Sequence, residues 1–243
     1  MDDITAAQML IRFIDLTSLS GKENNSDINK LCDKAEQNNV AAVCVYPKFI
    51  SQAHKRLRNS DIKVATVINF PDPDNDLVKL SKDIRETLKA GADELDIVFP
   101  YHHFLEGYTN TCDEFLATCR KEVPTDKTLK IILETGEIKK TSSIIEACRL
   151  CIKHQVDFIK TSTGKTETSA TPEVANIILE TINQSKSPTG FKASGGIKTF
   201  EDARKYLVLT NAVMGPKWAT PDTFRIGASS LLDDLLNIID RGY

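Results

Sequence analysis

A (β/α)8 barrel is the fold class that three observations predict. Short apolar runs recur along the chain and read as continuous rather than alternating, as strands buried on both faces do. Segments of helical period stand between them. This β-then-α beat crosses all 243 residues with no linker, low-complexity stretch or break in composition. Residues 1–243 are therefore expected to form a single α/β domain, and one barrel falls in that size range.

The elements follow in order. An amphipathic "AAQMLIRF" leads into "FIDLTSL" (13–19), the candidate first strand. Seven clearer strands come next: "VAAVCVY" (40–46), "IKVATVINF" (62–70), "ELDIVF" (94–99), "LKIILET" (129–135), "DFIKTS" (157–162), "GFKAS" (190–194) and "TFRIG" (223–227). "NAVMG" (211–215) competes with 13–19 for the eighth place. Among the helices, "DNDLVKLSKDIRETLKAGAD" opens on polar caps and closes at Gly91. "SSIIEACRLCIKHQVD" offers Ser142 and Ser143 as caps, and "TPEVANIILETINQ" has Thr171 as cap with Pro172 in its first turn. "TFEDARKYLVL" follows the next strand. The rival architecture is an open doubly wound sheet. It usually carries a glycine-rich turn after its first strand, and "CVYPKF" has no glycine.

Composition narrows the function. Apolar residues are 41% and charged residues 27%, with a net charge of −3. Such a balance argues against a general nucleic-acid binder and leaves room for a small anionic substrate. The acidic start "MDDITAAQML" does not read as a signal peptide, and no apolar run approaches the ~20 residues of a membrane span. A cytoplasmic protein is expected. Six cysteines lie in apolar segments; Cys148 and Cys151 have CxxC spacing but sit in a helical run without a second pair. Buried, reduced thiols are the expectation, with no metal.

In a barrel of this kind, chemistry gathers at the C-terminal ends of the strands, so polar residues inside apolar strands carry the information. "FIKTSTGKTE" (158–167) first suggests a phosphate-binding P-loop. That motif needs a glycine five residues before Gly164, and Ile159 stands there. The loop's Ser162, Thr163, Gly164 and Lys165 remain candidates for holding a single phosphate or a sugar hydroxyl. Lys160 lies mid-strand between apolar neighbours, where lysine is rarely buried. It either snorkels outward, pairs with an acid, or works as an amine. Lys192, in "GFKASGG", occupies the same place on the next strand, and adjacent strands lie ~4.8 Å apart. Two ammonium groups so close have a chemical use, because one cation depresses the pKa of the other. At pH 7 a free lysine is only about 0.04% neutral; a pKa near ~7 raises that roughly 10³-fold. The pattern does not say which lysine is the nucleophile.

Asp96, inside "DELDIVFP", is out of place in the same way. A structural hydrogen bond, an ion pair with a lysine, or proton transfer beside the amine would each account for it. Lys130 and Glu134 share one face of "LKIILETGE" and are expected to form a supporting ion pair or part of a polar floor. "SGGI" (194–197) and "GASSLLDDLL" (227–236) follow the last two strands, where barrels often seat phosphate. Gly195, Gly196, Gly227, Ser229 and Ser230 are the candidates, although the two serines also suit plain helix caps. The adjacent His102 and His103 diverge and make poor joint metal ligands. Trp218 reads as packing, and Cys44 as core close to the pocket.

"AAVCVYP", "VATVINFP", "GADELDIVFPY", "LKIILETGE", "FIKTSTGK", "GFKASGGIKT" and "RIGASSLL", in this order from about residue 13 to 232, resemble the deoxyribose-phosphate aldolase family. The resemblance implies a (β/α)8 barrel with an extra N-terminal helix. It implies a metal-independent class I aldolase, with no organic cofactor, that reversibly cleaves 2-deoxy-D-ribose 5-phosphate to D-glyceraldehyde 3-phosphate and acetaldehyde. It puts the Schiff-base lysine on Lys160, its pKa-lowering and proton-relay partner on Lys192, and the relay carboxylate on Asp96. It puts the phosphate on the GG and GASS segments, Lys165 beside the substrate, and Asp15 and Thr17 of "IDLT" at the substrate end of strand one. That favours 13–19 over 211–215 as a strand. A homodimer or other small homo-oligomer is also implied. Some members end in a longer tail whose tyrosine reaches the site, whereas here only "DRGY", with Tyr243, follows the last helical run. The rivals are a class I aldolase for another phosphorylated sugar, a non-catalytic phosphosugar-binding barrel, and an isomerase using Asp96 as base.

Overall fold

The computed structural model describes residues 2–240; Tyr243 lies outside them. Eight parallel strands close into a barrel in sequence order. They are β1 (Ile14–Ser18), β2 (Ala42–Val45), β3 (Lys63–Ile68), β4 (Glu94–Val98), β5 (Thr128–Ile132), β6 (Phe158–Lys160), β7 (Gly190–Ser194) and β8 (Phe224–Ala228). β8 pairs with β1, matching Ile226 to Ile14 and Gly227 to Asp15. The segment 13–19 is thus a strand. "NAVMG" instead finishes a helix that ends at Gly215, whose φ of +94° suits glycine.

The helices are α1 (Asp3–Ile11), α2 (Asn25–Asn38), α3 (Ile50–Leu57), α4 (Leu77–Lys89), α5 (Tyr101–Leu105), α6 (Thr109–Glu122), α7 (Thr135–Ile138), α8 (Thr141–Lys153), α9 (Pro172–Gln184), α10 (Phe200–Met214) and α11 (Leu231–Asp240). α1 is the extra N-terminal helix. It buries Ala6, Ala7, Leu10 and Ile11 and packs on α10 and α11. Local chemistry sets the starts. Asn24 and Thr199 form capping boxes with Asp27 and Asp202. Asp76 caps α4, and Thr171 caps α9 ahead of Pro172. Ser142 and Ser143 are not caps: the chain turns at Lys139 (φ 60°), and Lys140 takes the cap position. No helix among the described residues is long and apolar enough to cross a membrane.

Apolar side chains on the outer face of the strands pack under the helices, for example Val43, Leu95, Ile131, Ile159 and Phe191 with Leu80, Ile144 and Ile178. The inside is divided. β2 and β3 contribute Ala42, Cys44, Ala65 and Val67, with Leu19, Tyr46 and Phe70 packed against them. The other strands bring seven charged side chains into the same interior, each at most 4% exposed.

Candidate active site

Strand alternation places Glu94 and Asp96 on one face of β4. Register places Asp96 opposite Lys130, Lys160 opposite Lys192, and Lys192 opposite Arg225. Barrel closure adds Asp15. Six of these side chains join in a ring of alternating charge. Arg225 Nη1 donates to Asp15 Oδ1 at 2.6 Å, and Lys192 Nζ bridges Asp15 Oδ2 to Asp96 Oδ2, the latter at 2.7 Å. Lys130 Nζ donates to Asp96 Oδ1 at 3.1 Å and to Glu94 Oε2. Glu94 Oε1 returns to Arg225 Nη2 at 2.9 Å. Lys160 is the seventh member and hangs from Asp96 Oδ2 at 2.7 Å.

Small and aromatic residues make room for this ring. A Cβ on Gly227 would lie 3.1 Å from Lys192 Cε, so glycine lets the lysine stem pass. A Cβ on Gly190 would lie 2.7 Å from the Phe158 ring, which fills the barrel below. That ring lies 5.9 Å from Lys130 Nζ and 5.7 Å from the Arg225 guanidinium, within cation–π range.

The electrostatics separate the two lysines. Burial lowers the Lys160 pKa below the ordinary lysine value; Lys192 lowers it further, and Asp96 opposes them incompletely. Burial also acts on Lys192, but Asp15 and Asp96 outweigh it and raise that pKa. Lys130 is likewise raised, because Asp96, Glu94 and Asp15 outweigh its burial. Asp96 is held well below the carboxylate range: burial pushes it up, and the three lysines override that. Lys160 is therefore the amine of this cluster whose proton is held least tightly, and an amine gains nucleophilicity as it loses its proton.

Lys160 is also the one member of the cluster that lines the cavity of about 430 Å³ at the C-terminal mouth. The wall carries Thr17, Thr163, Gly164, Lys165, Gly195, Gly196, Gly227 and Ser229. Ser230 is not on it. Asp15, Asp96 and Lys192 lie behind Lys160, fully buried. The amides of Gly195, Gly196 and Ser229 have no hydrogen-bond partner among the described residues and remain free for an anion. Lys165 Nζ reaches across the mouth to the Leu19 carbonyl at 2.5 Å. Another cavity, about 410 Å³ beside Asn69, Phe70 and α4, contains no member of the charged cluster.

Four residues escaped the sequence reading. Glu94 and Arg225 complete the ring, and Glu23 and Lys198 line the cavity. Glu94 lies two residues before Asp96, and Arg225 stands mid-strand in "TFRIG"; both were signals of the kind that found Lys160. Glu134 and Lys130 do not pair. Lys130 turns to three acids of the cluster, whereas Glu134 stands above β5 in a left-handed conformation (φ 56°). The Glu134 carboxylate accepts from Thr163 N at 3.2 Å and Oγ1 at 2.5 Å, and from Thr166 Oγ1 at 3.2 Å. Cys44 lies in the interior, its thiol pushed up to about 11 by burial. Cys148 and Cys151 are free and buried on α8.

A closed (β/α)8 barrel with a buried, cavity-facing amine among carboxylates has the architecture of a carbon–carbon lyase of the aldolase class. The chain belongs to the DeoC/LacD aldolase family, whose model matches residues 9–236. It is 42% identical over 240 residues to the deoxyribose-phosphate aldolase of Agrobacterium fabrum, covering 98% of this chain and 93% of that protein. It also resembles a solved structure described as QR15, an aldolase, at 29% identity and a TM-score of 0.83, covering 96% and 97% of the two chains. A crystal structure of a Coccidioides immitis protein is 28% identical with a TM-score of 0.84, covering 93% and 85%.

Proposed function

We propose that this chain reversibly cleaves 2-deoxy-D-ribose 5-phosphate to D-glyceraldehyde 3-phosphate and acetaldehyde through a Schiff base on Lys160. The observation that carries the reading is that Lys160 is both the amine with lowered proton affinity and the cluster's member on the cavity wall. Its neutral Nζ attacks C1 of the open-chain sugar, and water leaves as the iminium forms. The C3 hydroxyl gives up its proton, the C2–C3 bond breaks, and its electrons flow to the iminium to form an enamine. Glyceraldehyde 3-phosphate departs; protonation at C2 and addition of water then release acetaldehyde and free Lys160.

Asp96 Oδ2 and Lys192 Nζ form the proton relay behind the amine. Both are buried, so protons reach the substrate through Lys160 or through water in the cavity. Gly195, Gly196 and Ser229 seat the phosphate on free amides beside Gly227, with Lys165 and Lys198 supplying positive charge. Thr17 and Thr163 line the sugar's path, and Ser230 starts the turn into α11. Asp15 acts from below, on Lys192. The chemistry requires only side chains, without metal or organic cofactor. A cytoplasmic enzyme, active as a homodimer or other small homo-oligomer, accompanies this reading, as the family resemblance implies.

Purified protein given 2-deoxy-D-ribose 5-phosphate should release both aldehydes in equal amounts. Lys160→Arg should abolish release while still binding the sugar phosphate. Turnover of a different phosphorylated sugar with none of this one would reassign the substrate. Activity in Lys160→Arg would remove the Schiff base.

A further inference from the structure

The ring extends well beyond the amine it serves. Arg225 and Glu94 lie at its far end, at most 4% exposed, and neither lines the cavity. Taken alone, Asp15, Asp96, Lys130 and Lys192 already balance. Arg225 and Glu94 add one charge of each sign, so the ring holds three cations and three carboxylates. A proton on Lys160 would then be an uncompensated charge in a buried site, which is strongly unfavourable. Lys160 is also the member best placed to exchange its proton with water in the cavity.

We propose that the ring works as a fixed-charge unit whose zero sum holds Lys160 uncharged, with Arg225 and Glu94 as positioning residues that set the sum from outside the cavity. This rests on Lys160 being the Schiff-base amine. Charge is transmitted along two hydrogen-bonded paths. One runs Arg225–Asp15–Lys192–Asp96–Lys160, and the other Arg225–Glu94–Lys130–Asp96–Lys160. In a buried site, such couplings act over several ångströms with little screening.

Other groups facing Lys160 do not upset the count. β2 presents Cys44, a thiol that burial keeps protonated, and β3 presents Ala65 and Val67. Across the cavity stand Lys165 and Lys198 with Glu23, in contact with solvent. Glu134 is engaged by the two threonines.

Loss of either end residue should have opposite effects. Removing Arg225 leaves the ring with one excess negative charge, which a proton on Lys160 satisfies. Removing Glu94 leaves one excess positive charge, which repels that proton further. Removing both restores balance. A merely structural role would harm all three variants in the same direction.

The test is the pH dependence of reductive trapping of acetaldehyde on Lys160, with cyanoborohydride as reductant and peptide mass spectrometry as readout. For Arg225→Met the midpoint should move to higher pH by about one unit, a roughly tenfold loss of labelling below it. Glu94→Gln should move it to lower pH, and the double variant should return it to the wild-type value. Coincident midpoints in all four proteins, or an unrestored double variant, would overturn the proposal while leaving the Schiff base intact. Absence of wild-type labelling at Lys160 would instead overturn the aldolase reading and this proposal with it. If Arg225→Met fails to fold, Glu94→Gln and the double variant decide: a midpoint that does not fall in the first, or rises in the second, rejects the ring.

Discussion

Lys160 and Lys192 face each other across the β6–β7 ladder and donate to the same oxygen, Asp96 Oδ2, each from 2.7 Å. The pair is not symmetric. Lys192 has a second carboxylate, Asp15, and Lys160 has none. The shared oxygen therefore stabilises a proton on Lys192, while burial and the Lys192 charge weaken the hold of Lys160 on its own. That one extra carboxylate distinguishes two lysines that strand patterning leaves equivalent, and it is why the Schiff base is proposed on Lys160.

Lys192→Met should remove this repulsion. Lys160 would then hold its proton to higher pH, and the acid limb of the pH–rate profile should move upward. Loss of the proposed relay should cost about 10²-fold or more in kcat at neutral pH. Kinetics across pH, with circular dichroism to verify the fold, check both effects.

Asp96→Asn removes the acceptor shared by three lysines. Breaking a buried ion pair from one side costs about 3–5 kcal/mol, so thermal or urea unfolding should show a large loss. Activity should fall by at least about 10²-fold in the protein that remains folded.

Acid should unfold the barrel through Asp15 and Asp96. Both have folded pKa values below the usual carboxylate range: burial pushes each up, and the surrounding cations override it. Their contribution is thus complete above the unfolded carboxylate pKa of about 4 and is lost as pH falls through the depressed folded values. Unfolding free energy measured in urea should stay level from pH 7 to about 5 and drop steeply below about 4. Level stability down to the lowest pH would contradict the buried ion pairs.

Gly195→Ala and Glu134→Ala should act on the cavity wall and spare the amine. Gly195 has φ +88°, and a Cβ there would sit 2.5 Å from the Ser169 side chain. Strain of about 1–3 kcal/mol and a distorted phosphate seat are expected. Glu134→Ala frees the loop that presents Thr163 and Lys165. Both variants should raise KM for the sugar phosphate at least about tenfold, yet leave acetaldehyde trapping on Lys160 near wild type. Equal losses in both assays would show general damage instead.

The sequence revealed the barrel because strands covered on both faces are continuous apolar runs, and those runs recur with helices between them. Lys160, Lys192 and Asp96 stood out for the related reason that a charge inside such a run needs an explanation. Arg225 and Glu94 are charges inside such runs as well. Their meaning arises only when β8 closes on β1 and β4 faces both across the interior, a relation of elements far apart in the chain. The ion pair expected between Lys130 and Glu134 does not form because strand alternation does not continue past the end of β5. The strand stops at Ile132, and the left-handed turn at Glu134 redirects its carboxylate to the β6 loop. The short α5 and α7 were also invisible, since four or five residues are too few to show helical period.

Borohydride reduction in the presence of 2-deoxy-D-ribose 5-phosphate, followed by peptide mapping, tests the central claim most directly. The account predicts one covalent adduct per chain, on Lys160, with loss of activity in proportion. An adduct on Lys192 or elsewhere, or an active enzyme that traps nothing, would contradict it.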